Sequence, residues 1–127
     1  MRLLPFLCLF TLAAVPALAL PAQSDSPSAN AANAAHLIAR ARDAQNRGET
    51  DLAQRLAQSA IVADPARPAG YDALGDVYAA AGEPDFARPY YDEALSIDPT
   101  DTAAQRALAA LDRKDDTHTA KADTAGR

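Results

Sequence analysis

The side chains able to do chemistry in this 127-residue chain are few, and their spacing assembles no reaction centre. His36 stands at the start of a helical pattern with no cysteine or carboxylate pair at metal-ligand spacing around it, and His118 stands in a polar tail. The single cysteine, Cys8, lies within an apolar leader, so the segment after it has no thiol nucleophile. Ser24, Ser26 and Ser28 fall in a Pro/Ser/Asn/Ala stretch, while Ser59 and Ser96 sit on helical patterns outside any nucleophile-elbow context. Gly48-Glu49 and Gly82-Glu83 read as turns between helices, not as phosphate-cradling loops. Asp92-Glu93 is an acidic pair on what should be an exposed helical face, where neither carboxyl has the environment that general acid/base work needs. The expectation is a non-catalytic protein that needs no cofactor and no metal.

Composition narrows the class further. The chain is 49% hydrophobic, but 33 of its residues are alanines, and it has no tryptophan. So many small side chains suit closely approaching helices better than the interior of a deep-cleft enzyme. Twelve basic against seventeen acidic residues give a net charge of −5, which provides no attractive field for a phosphate backbone. Disulfide scaffolds, zinc–cysteine modules and basic nucleic-acid modules are excluded on these counts.

The first residues have the pattern of an export signal. Arg2 gives a positive start, residues 3–15 are rich in Leu, Phe and Ala, and Ala17-Leu18-Ala19 presents small residues for cleavage after Ala19. Cys8 is preceded by bulky Leu7, which argues against a lipid-modified cysteine. A signal peptide at 1–19, an extracytoplasmic and cysteine-free remainder, and the periplasm of a GC-rich bacterium are the expectations, with no membrane attachment after cleavage. An uncleaved anchor is the alternative. Residues 20–33 should then be a flexible linker that becomes helical near its end, and residues 115–127, without a large apolar side chain, a disordered tail.

Between them the chain repeats itself. Shifting it by 34 residues superposes Ala35, Ala39, Gly48, Glu49, Asp51, Ala53, Ala60, Asp64 and Pro65 on Ala69, Ala73, Gly82, Glu83, Asp85, Ala87, Ala94, Asp98 and Pro99. Each period predicts two helices and a turn. Tyr71, Leu74, Val77, Tyr78 and Ala81 recur at helical steps after Pro68, Gly82 should end that helix in a left-handed cap, and Pro84 can open the next. Phe86, Ala87, Tyr90, Tyr91, Ala94, Leu95 and Ile97 are expected on its buried side, with a bend at Pro89. The first period predicts helices over about 34–47 and 51–63. A fifth helix should begin at the N-cap Asp101 and carry Leu108 and Leu111.

Tyr71-x-x-Leu74-Gly75-x-x-Tyr78, then Ala87-x-x-x-Tyr91-x-x-Ala94, then Pro99 resembles the tetratricopeptide repeat at each of its eight usual positions. The resemblance covers residues 34–114: a degenerate repeat at 34–67, in which Arg40 replaces the usual leucine, a clear repeat at 68–101, and a capping helix at 102–114. It implies an all-α fold, a fragment of a right-handed solenoid, with Gly75 and Ala87 where the paired helices cross.

The resemblance also implies a concave groove lined by the first helix of each repeat, holding a protein or peptide partner. By repeat register that groove carries Ile38, Arg42, Gln45 and Asn46 from the first helix, Asp72, Ala73, Asp76 and Ala80 from the third, and Arg106, Ala110 and Arg113 from the fifth. Its centre is acidic and its flanks carry arginines, and the Lys/Asn pattern of a carboxylate clamp is missing. Two functions remain open. One is an adaptor that holds a segment or helix of another envelope protein, remaining a monomer or weak dimer. The other is a structural module that associates with itself, since two repeats bury little surface.

Overall fold

The computed structural model describes residues 27–125. The expected signal peptide and residues 20–26 of the expected linker lie outside them. Among the described residues there are five helices and no strand: α1 (Pro27–Asn46), α2 (Thr50–Ala63), α3 (Pro68–Ala80), α4 (Pro84–Ile97) and α5 (Thr102–Ala125). The end of α1, both ends of α2 and the start of α3 recur 34 residues later as the end of α3, both ends of α4 and the start of α5. The sequence period is therefore a structural period.

The turns repeat atom for atom. Gly48 and Gly82 both take positive φ, +76° and +79°, which a side chain would strain. At the first, Glu49 N donates to Ala44 O at 2.9 Å and Gly48 N to Gln45 O at 2.9 Å. At the second, Glu83 N donates to Tyr78 O at 2.9 Å and Gly82 N to Ala79 O at 3.2 Å. These are the paired bonds of a Schellman cap, which satisfy carbonyls that the helix end leaves open. Glu49 and Glu83 then stand at the N-caps of α2 and α4, so each hairpin reverses within a few residues and its helices run antiparallel.

The core is a seam of alanines with a few large anchors. Ile38, Ala41, Ala57, Ala60, Ala73 and Leu74 join α1, α2 and α3. Ala87, Tyr91, Ala94, Ala104 and Leu111 join α4 to α5, with Tyr71, Tyr78 and Leu108 packed against them. The helix α4 runs through Pro89 without interruption. Pro89 faces solvent, where its missing N–H leaves no buried carbonyl stranded.

Three expectations are corrected. The first helix starts not near residue 34 but at Pro27, which suits a first helical position, and Ala29, Ala31 and Ala32 have the highest helix propensity. Residues 115–125 continue α5, because a helix already docked through Ala104 and Leu111 adds a hydrogen bond for each residue it gains. Phe86 is not on the buried side of α4 but 63% exposed, its ring stacked on that of Tyr78 with ring centres 5.9 Å apart.

Arg88 helps to hold the far half of α5. Its guanidinium donates to Asp112 at 2.6 Å and to Asp115 at 2.5 Å, tying α4 to α5 in the turn that follows the buried Leu111. Arg88→Ala should speed amide exchange beyond Leu111 and reduce helical circular dichroism while the main melting transition stays in place, and high salt should imitate it. Unchanged exchange in that stretch would show that the pairs contribute nothing to α5.

Candidate functional site

Backbone packing decides which face is hollow. Along the array α1 lies against α3 and α3 against α5, whereas no Cα atom of α2 comes within 8 Å of α4. The first helices are close and the second helices splay, so the stack bends with α1, α3 and α5 on its inner side. Arg42 and Asn46 of α1, Ala80 of α3, and Arg106 and Arg113 of α5 are exposed in that register, and Ala110 is half-buried.

Two apolar residues expected in the groove are not surface at all. Ile38 and Ala73 are 5% and 1% exposed and belong to the seam with Ala57, Ala60 and Leu74. Placing α1 directly beside α3 rotates these positions into the contact between them, which a register drawn from one helix does not foresee. Gln45 and Asp76 are spent on each other's helices: Gln45 Nε2 donates to the Asp76 carbonyl at 3.0 Å, bridging α1 and α3. The Asp76 carboxylate Oδ1 accepts from the Tyr91 hydroxyl at 2.8 Å. Burial, and then the hydrogen bond to Asp76, hold that phenol well above its ordinary value.

Asp72 is the larger departure. Read as a groove carboxylate, it is 4% exposed, and its Oδ1 has no hydrogen-bond partner. Its carboxyl stands beside that of Asp101, which is at the same time the N-cap of α5, with Asp101 Oδ1 accepting from Ala103 N at 2.8 Å and from Ala104 N at 3.3 Å. Burial, the Asp101 carboxylate beside it and Asp76 one turn along push Asp72 from 3.8 up to about 7, against a smaller opposing pull from Arg42. The inner face thus has at its centre a carboxyl pair joining α3 to the head of α5. Asp101 could be recognised in sequence as a cap, but its proximity to Asp72 depends on how α5 docks.

No general acid/base or nucleophilic arrangement emerges from the other candidates. His36, Asp92 and Glu93 are exposed, and the Ser59 hydroxyl donates to its own helix at Arg55 O, 2.8 Å away. Among the described residues no group of three or more His, Cys, Asp or Glu side chains could hold a metal, and no helix is long and apolar enough to cross a membrane. The shallow hollows lined by residues 48–52 with Arg55, and by Arg55, Gln58, Ser59 and Val62, lie along α2, away from the inner face.

Antiparallel helical hairpins stacked at a fixed 34-residue period, bent around an inner face, define an all-α helical-repeat solenoid. Residues 68–111, which span α3, α4 and the first part of α5, match the family model of the tetratricopeptide repeat. Repeats of this family generally serve as protein–protein interaction modules. No curated protein and no solved structure matches the chain.

Proposed function

We propose that the protein is a non-catalytic adaptor of the bacterial periplasm whose inner face holds a peptide segment or helix of a partner protein. The observation that carries this reading is the row of α1, α3 and α5, close together while α2 and α4 splay, with Arg42, Asn46, Arg106 and Arg113 left exposed along it. Export is supported by the leader pattern of Arg2, the apolar run 3–15 and Ala17-Leu18-Ala19. A monomer or weak dimer is favoured over a self-associating structural module by α5, which buries Ala104 and Leu111 against α4 and presents charged residues outward.

The test places a photo-crosslinking side chain at Arg42 or Arg106 on the inner face, or at Gln58 or Val62 on the outer face, in the full chain expressed in its host. An adduct with a second protein is expected from the inner positions only, in the fraction released by osmotic shock. Adducts from the outer positions alone, or adducts with another copy of this chain, would overturn the adaptor reading and support self-association.

A further inference from the structure

Among the described residues Asp72 is the one buried charged or polar side chain, and its Oδ1 lacks any donor. An unsatisfied carboxyl oxygen inside a protein costs free energy, and native structures rarely keep one without a use. The neighbouring carboxylates cannot relieve it. Asp101 already serves the first turn of α5 with one oxygen, and Asp76 already accepts from Tyr91. Against these three carboxyls only Arg42 acts on Asp72 with positive charge, in a chain whose own net charge is −5. The place is short of a cation that brings hydrogen-bond donors.

We propose that the inner face takes a lysine- or arginine-bearing segment of the partner protein, with one cationic head lodging between Asp72 and Asp101. This deepens the adaptor reading and rests on it. An ammonium carries three donors and a guanidinium five, enough to serve the orphaned Oδ1 and Asp101 together. A bare metal ion is the poorer occupant, since no metal-holding cluster exists among the described residues.

Such a cation replaces a proton. Asp72 is partly protonated near neutrality in the empty site, because burial and the adjacent carboxylates push it up to about 7. The groups that set this are Arg42 from α1, Asp76 on α3 itself and Asp101 from α5, and the Tyr91 hydroxyl from α4 reaches the cluster through Asp76. Binding of the cation therefore releases a proton, and affinity rises with pH across the range in which Asp72 ionises.

The probe is a short fluorescein-labelled peptide alternating glycine with lysine, acetylated and amidated at its ends, titrated into the full chain at low salt. Its counterpart has glutamate for lysine. The lysine peptide should bind, with affinity climbing about tenfold between about pH 5.5 and pH 8, and the glutamate peptide should not. Asp72→Asn should weaken binding about tenfold at the higher pH and abolish the pH dependence, with circular dichroism unchanged. Asp92→Asn with Glu93→Gln, which removes two charges from the exposed side of α4, should leave binding as it was. No binding of the lysine peptide, a pH-independent affinity, or equal weakening by both sets of substitutions would overturn the inference. If the lysine peptide fails while inner-face crosslinks to a partner persist, only the cationic ligand is wrong. If those crosslinks are lost as well, the adaptor reading falls with it.

Discussion

Gly75→Leu is expected to lower the melting temperature by roughly 5–15 °C, the consequence of overpacking by about 1–3 kcal/mol in a domain this small. A Cβ built on Gly75 would stand 2.7 Å from Tyr91 Cε1, 2.9 Å from Cζ and 3.0 Å from Cδ1. The ring cannot easily retreat. It is 2% exposed, packed with Ala87, Ala94, Ala104 and Leu111, and pinned at its tip by the hydrogen bond to Asp76. A leucine must therefore push α3 and α4 apart at the point where they cross. Gly75→Ala should show the same effect on a smaller scale. Double substitution with Tyr91→Leu, which shortens the opposing side chain, should recover part of the loss. Thermal melts followed by circular dichroism decide it, and an unchanged transition in Gly75→Leu would mean that the crossing is not where α3 and α4 are placed.

Asp72→Asn should make the protein more stable at neutral and alkaline pH, by an amount on the order of 1–3 kcal/mol. The sign follows from the raised ionisation of the carboxyl. Asp72 goes from 3.8 to about 7 on folding, so between those values the folded chain binds more protons than the unfolded one. Its favourable contribution is complete below about pH 4, is lost progressively as pH rises to about 7, and stays lost above that. Asparagine keeps the shape, carries no charge and can still donate to Asp101, so the variant should lack this part of the decline. Urea unfolding of both proteins between about pH 4 and pH 8 measures it: the two curves should lie closest at the acid end and diverge toward pH 8. Curves that stay parallel would show that Asp72 ionises at its ordinary value. A substitution that stabilises the free protein while weakening capture of a basic segment is the pattern expected of a group kept at a binding site despite its cost.

Much of the architecture was legible from residue spacing. The 34-residue recurrence of Gly-Glu and Asp-Pro marks two hairpins, because glycine takes the left-handed cap that ends α1 and α3 and proline or aspartate stops the second helices. Tyr71, Leu74, Gly75, Tyr78, Ala87, Tyr91 and Ala94 mark the crossing, since only small residues facing large ones at helical steps allow two helices so near. Those signals are local, set within one turn or between neighbouring turns. Composition misled at the edges: residues 27–33 and 115–125 lack large apolar side chains, yet they extend α1 and α5 from docked turns, with Arg88 reaching across to Asp112 and Asp115.

What a helical register cannot specify is the rotation and approach of one hairpin against the next. That docking turned Ile38 and Ala73 from groove positions into core, engaged Gln45 and Asp76 between helices, and left Phe86 outside. It also brought Asp101, 29 residues beyond Asp72, against a carboxyl that the sequence presents as one more solvated acid. The amino-acid sequence by itself determined the helices, their turns and their pairing, because hydrogen bonds and side-chain size act over a few residues. Which charges are buried, and so which of them titrate out of range and await a counter-charge, was decided only by the tertiary structure, because desolvation depends on every helix packed around the group.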